Sequence, residues 1–324
     1  MKERLKYIDI AKGIAIICVV IGHVLVYDIY GFTYVMEFSP LIKFICIFHM
    51  PLFIFLSGLV TLPLNSYKEI SKDIIKRFRV LIIPFLTIGS IYSITTHHDL
   101  SFFNNEMKYG YWYLLILFYC YLFNYILILI YRKKSIGFFL LQSITAVFFW
   151  KLVCIISLYM SNDIKHFLSI NQWCIYFPYF FCGFIIRHYN LHIYIFKNSI
   201  LFFTAIIIWS LSDKINFPYG NYLISIAAIF VIIYVCCKIE ENQVKYHNIL
   251  EFIGLNTIYI YVFHFFAIHL IDFSFLQNWL LSINRSIFTD LAISIIPSLF
   301  IILFSLFLKK IIQNTQISKI IFFK

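Results

Sequence analysis

The sequence predicts an all-α fold: a polytopic membrane helix bundle of about ten transmembrane helices, a single domain over residues 1–324 with both termini cytoplasmic. Three observations carry this reading. Of 324 residues, 62% are hydrophobic and only 13% charged, and the mean hydropathy of +0.88 exceeds what one soluble core can bury. Apolar runs of roughly twenty residues, the length that crosses about 30 Å of hydrocarbon, recur along the whole chain. Lysine and arginine cluster between the runs on one side only. The formal charge of +11 therefore reads as membrane loops, and nucleic acid is excluded as a partner.

The runs fall at about 8–29, 39–62, 80–97, 111–131, 136–160, 172–188, 199–212, 219–237, 250–271 and 286–308, the seventh being the shortest. With the N-terminus inside, the inner segments include "NSYKEISKDIIKRFR", "YRKKS", "RHYNLHIYIFKN", "CCKIEENQVKYHN" and the tail after residue 308. This places 19 lysines and arginines inside, five outside and two (Lys12, Lys151) within runs, so the positive-inside rule selects that orientation. "MKERLK" followed by an apolar run imitates a secretory signal. The run is too long, contains Lys12 and lacks a small-residue cleavage site, so it is expected to stay as the first helix. The eight cysteines lie in or beside apolar runs without C-x-x-C spacing and read as packing residues. Pro51, Pro84 and Pro178 mark expected kinks.

The first run, "YIDIAKGIAIICVVIGHVLVY", carries three costly residues. Lys12 and His23 are eleven positions apart, about 20° beyond three full turns, and so share a face roughly 16 Å apart along the axis. Asp9 sits three residues before Lys12 and can pair with it. Such a stripe faces the bundle interior. The alternative reading has Lys12 snorkelling to headgroups and His23 as a hydrogen-bonded structural residue. In the second run His49 reaches a depth similar to His23, which suggests a polar chamber, and Ser57 and Gly58 form a small-residue site of close approach. Lys151 should neighbour an acid or that chamber. His264 and His269 point about 140° apart and make no zinc pair, and "HHD" at 97–99 reads as a solvated loop, so no metal is expected.

These residues, taken in order, resemble the acyltransferase-3 family of integral-membrane acyltransferases, and its branch of fucose and polysaccharide O-acetyltransferases in particular. A basic residue, ten residues and a histidine (Lys12 to His23) open the likeness. It continues through "FHMPLFIFLSGL", "KRFRVLIIPF", "YWYLLILFY" and "FIGLNTIYIYVFHF". The chain departs from the pattern in having lysine at the basic position and Pro51, with His49 nearby, where many members place an aspartate.

The resemblance implies transfer of an acyl group, most often acetyl, from cytoplasmic acyl-CoA to a hydroxyl of a surface polysaccharide, glycolipid or lipid-linked precursor at a bacterial inner membrane. A sugar hydroxyl needs a base to attack a thioester, and His23 is the expected base. Lys12, oriented by Asp9, meets the donor, with Arg77, Arg79 and Ser57 as further donor contacts; ordinary inner-loop charge is the other reading of the two arginines. His49, Trp112, Tyr113, His264 and Asn256 are expected at the acceptor, although an aromatic belt also explains Trp112 and Tyr113. Acetyl-CoA is thus the expected co-substrate, membrane lipid the surroundings, and oligomerisation is left open. The competing class is a polysaccharide exporter or flippase without covalent chemistry.

Overall fold

The computed structural model describes residues 4–30, 39–61, 64, 66–131, 136–215, 219–270, 282 and 286–313. The expected inner segment at 132–135, the tail beyond 313 and the outer Arg285 lie outside the described residues. Among the described residues every regular element is helical. Lipid offers backbone groups no partner, so a spanning segment must close its own hydrogen bonds, and helices do that.

The helices are α1 (Lys6–His23), α2 (Pro40–Cys46), α3 (His49–Leu59), α4 (Tyr67–Arg77), α5 (Ile83–His97), α6 (Trp112–Ile130), α7 (Ile136–Tyr159), α8 (Asn162–Leu168), α9 (Ile170–His188), α10 (His192–Ile195), α11 (Ser199–Ser210), α12 (Gly220–Glu241), α13 (His247–Leu255), α14 (Thr257–Ile268) and α15 (Ile287–Gln313). A helix occupies each of the ten expected runs. Among the described residues seven stretches are long and apolar enough to cross a membrane, and an eighth joins α13 to α14 across a 79° bend. Two runs fall short for physical reasons. The helix α11 has only 12 residues, while α9 carries Asn171, Gln172, Pro178 and Arg187 among its apolar positions. The structure also turns the charged segment before the third run into helix. Ser66 caps α4 by accepting the Glu69 N–H at 3.2 Å, and α4 continues through a π-helical turn (Phe78–Ile82) into α5.

The described chain forms two compact units, Met1–Phe53 with His192–Ile311 and Ile54–Leu191 with Ile312–Lys324. In the first, α1 lies against α13 in backbone contact. A Cβ on Gly13 would stand 2.2 Å from the Leu250 carbonyl oxygen, and one on Gly254 only 1.7 Å from that of Asp9. Only glycine permits this crossing. Ser39 caps α2 by accepting the Ile42 N–H (3.2 Å) and donates to the buried Asp290 of α15 at 2.5 Å. In the second unit the same device joins α3 to α9, where Gly58 meets the Phe180 carbonyl and Gly183 that of Phe55. The close approach expected at Ser57 and Gly58 is here a helix crossing.

Candidate active site

In the first unit α1 delivers Asp9, Lys12 and His23. Asp9 is buried, and its carboxylate accepts from Arg4 Nε at 2.8 Å while Lys12 Nζ stands 3.9 Å away. The expected Asp9–Lys12 pair is present, with Arg4 as a second cation. At the far end of the helix His23 closes the last α-helical turn, and a π-helical turn follows over Val24–Tyr30. A π turn shifts side-chain register and recurs at functional sites.

His23 does not stand alone. Its Nδ1 lies 2.8 Å from Nε2 of the fully buried His264 on α14, and the two rings are near-parallel with centroids 5.0 Å apart. The proton positions follow from the partners. His264 Nδ1 faces the Tyr261 carbonyl at 2.6 Å and that of Ile260 at 3.2 Å. Carbonyl oxygens only accept, so His264 Nδ1 carries the hydrogen and, in the neutral ring, Nε2 is bare. The hydrogen between the rings then belongs to His23 Nδ1, which leaves His23 Nε2 as the lone-pair nitrogen. That nitrogen can accept a proton, and the resulting imidazolium keeps its bond to His264. Phe265 (4.8 Å) and Tyr27 (5.7 Å) flank the His23 ring.

His49, the imidazole expected beside His23, is half-buried and donates from Nδ1 to the Ile45 carbonyl of its own segment at 2.9 Å. His264 is the partner in direct contact with His23, and His49 stands near enough to act on His23 electrostatically. Asn256 sits at the bend between α13 and α14, donates to Phe252 O at 2.7 Å and accepts from Lys309 Nζ at 2.5 Å. A broken helix leaves unpaired backbone groups, and Asn256 and Lys309 stand where they arise.

In the second unit the Ser57 hydroxyl lies 3.4 Å from that of Tyr113, a long contact, and Trp112 stacks on Tyr176 at 4.8 Å. Arg77 ends α4 where the second π turn begins, so the expected base His23 and the expected donor contact Arg77 each stand at an α-to-π junction. The Arg77 guanidinium bonds Asp73 through Nε at 3.3 Å and lies 4.1 Å above the Tyr121 ring. Arg79, two residues on, is exposed. Lys151 on α7, expected to neighbour an acid or the polar chamber, lies 4.8 Å from the Trp150 ring in a cation–π contact. Among the described residues no three His, Cys, Asp or Glu side chains gather as metal ligands. Sequence reading missed Arg4, Lys309, Tyr121 and Tyr125; only the i,i+4 spacing of Asp73 and Arg77 gave a signal.

Several helices long and apolar enough to cross a membrane, with ionisable side chains buried among them, make this a multi-pass membrane protein. The acyltransferase domain family matches residues 5–309, and the chain belongs to that family. A 78-residue stretch is 41% identical to Nodulation protein NolL of Mesorhizobium japonicum, which is 24% of this chain and 21% of that protein. The chain thus matches about a fifth of that relative's length. No solved structure matches the chain.

Proposed function

We propose that the protein is a membrane O-acyltransferase of a bacterial inner membrane, moving an acetyl or other small acyl group from acyl-CoA to a hydroxyl of a polysaccharide, glycolipid or lipid-linked precursor. The observation that carries this reading is the His23–His264 pair, whose partners leave His23 Nε2 as a proton acceptor. Attack of an alcohol on a thioester calls for a base held in this way.

The reaction balances on these residues. The acceptor hydroxyl gives its proton to His23 Nε2 as its oxygen bonds to the thioester carbonyl carbon. The C–S bond then breaks, and the proton on His23 Nε2 passes to the departing sulfur, giving ester and free CoA. His264 holds the His23 ring throughout and stabilises its charged form, the part an orienting partner plays for a catalytic histidine. Each unit by itself offers a cation of the kind donor phosphates need: Lys12, braced by Asp9 near the N-terminal end of α1, in the first, and Arg77 on α4 in the second.

Only the bend at Asn256 favours the exporter, since transporters use broken helices at their sites. Such folds usually carry two corresponding breaks, and one is found among the described residues. Cells separate the readings. With His23→Ala or Lys12→Ala the transferase predicts exported glycan that lacks its acyl group, from a protein still inserted in the membrane. Glycan retained inside the cell and otherwise unchanged would favour the exporter, and normal acylation in both variants would remove the α1 stripe from the chemistry.

A further inference from the structure

Arg77 is held by groups that the reaction above does not use. Its Nε is committed to Asp73, one turn earlier on α4. Asp73 in turn takes a short hydrogen bond from the Tyr125 hydroxyl of α6. The guanidinium lies over the ring of Tyr121, one turn before Tyr125 on the same helix. That ring is itself fixed: it is buried, its hydroxyl donates to the Ser57 carbonyl at 3.3 Å, and Phe180 meets it edge-on at 5.0 Å. The Arg77 side chain keeps 26% exposure and Asp73 22%.

We propose that Tyr121, with Asp73 and Tyr125 behind it, positions Arg77 to meet a phosphorylated donor end-on through its Nη edge. The geometry accounts for each part. Occupation of Nε by Asp73 removes the side-on approach to a phosphate, which leaves the two terminal nitrogens. The fixed ring keeps the guanidinium planar against it and limits the ordering entropy lost when an anion binds. The Tyr125 hydroxyl holds the carboxylate in place, so the acid orients the arginine instead of drifting toward the ligand.

This inference rests on the reading of Arg77 as a donor anchor, and the experiment separates the two. Equilibrium binding of coenzyme A to the purified full chain in detergent is measured for wild type and for Arg77→Lys, Tyr121→Leu, Tyr121→Phe and Tyr125→Phe, alongside thermal melting. Tyr121→Leu should weaken binding by about tenfold, and Tyr121→Phe, which keeps the ring, should restore it nearly to wild type. Tyr125→Phe removes one hydroxyl and should weaken binding several-fold in a protein that still folds, so the inference survives even if Tyr121→Leu fails to fold. Weak binding by Arg77→Lys, with Tyr125→Phe and folded Tyr121→Leu binding as wild type, would overturn the positioning role and leave the anchor standing. Wild-type binding by Arg77→Lys would overturn the anchor itself.

Discussion

Replacing Gly254 by alanine places a methyl carbon 1.7 Å from the Asp9 carbonyl oxygen and 3.1 Å from the Gly13 nitrogen. Non-bonded heavy atoms settle at roughly 3.5 Å, so α1 and α13 must part by roughly 2 Å. Both sides of the contact are backbone, and no rotamer change relieves it. Overpacking of this kind costs about 1–3 kcal/mol, and the upper end applies where the obstacle is main chain. That corresponds to a fall in melting temperature of roughly 5 °C or more. The displacement also reaches the chemistry. His264 lies on α14, which follows α13 across the bend, and its 2.8 Å bond to His23 does not survive a shift of that size. The assay is thermal melting in detergent together with CoA release from acetyl-CoA, with Gly137→Ala as control, because a Cβ there meets nothing within 4 Å. The control should melt with wild type or slightly above it. A Gly254→Ala protein that melts with wild type and keeps its turnover would refute the close α1–α13 crossing.

Three further outcomes follow from the geometry. His264→Leu removes the acceptor of His23 Nδ1–H and should lower acyl transfer by roughly 10–100-fold, less than the loss in His23→Ala, with steady-state rates as the check. Ser39→Ala deletes the cap of α2 and a donor to buried Asp290, and should cost about 2 kcal/mol, read from denaturant midpoints. Lys108, in the segment between α5 and α6, has left-handed backbone and is buried, with Nζ donating to the carbonyls of Phe103, Asn105 and His166 at 2.6–2.9 Å. Burial pushes its ammonium down to about 8, against the opposing pull of Glu106. Between that value and 10.5 the folded chain holds fewer protons than the unfolded one, so this segment gains stability as pH rises through the window. Hydrogen exchange over residues 99–111 should slow accordingly, relative to Lys108→Met at the same pH values.

Much of the fold was legible because hydrophobic runs of span length are a direct consequence of bilayer thickness. The misses share a cause. The α4 segment is rich in charge and reads as a loop by hydropathy, although the Ser66-to-Glu69 spacing is a helix-start signal and Asp73 to Arg77 is one helical turn. The α9 run keeps enough phenylalanine and isoleucine to look like a span while Asn171, Gln172 and Arg187 lower its apolarity. At the site, local spacing revealed the Asp9–Lys12 pair, since i,i+3 neighbours meet on any helix. No local rule joins His23 to His264 or Arg77 to Tyr121, because those contacts depend on how distant helices pack. The π turns after His23 and Arg77 likewise have no compositional signature. Gly58 stood out as a small residue, but the placement of Gly13 against Gly254 needed three dimensions.

The most direct test of the central claim is acetyl-CoA turnover by the purified, detergent-solubilised protein beside His23→Ala, read as release of free CoA. The account predicts slow release by wild type, faster when membrane glycolipid extract is supplied, and none from a folded His23→Ala protein. Wild-type release in the variant would contradict the role of His23. Failure of the wild type to consume acetyl-CoA even with the extract present would contradict acetyl transfer itself.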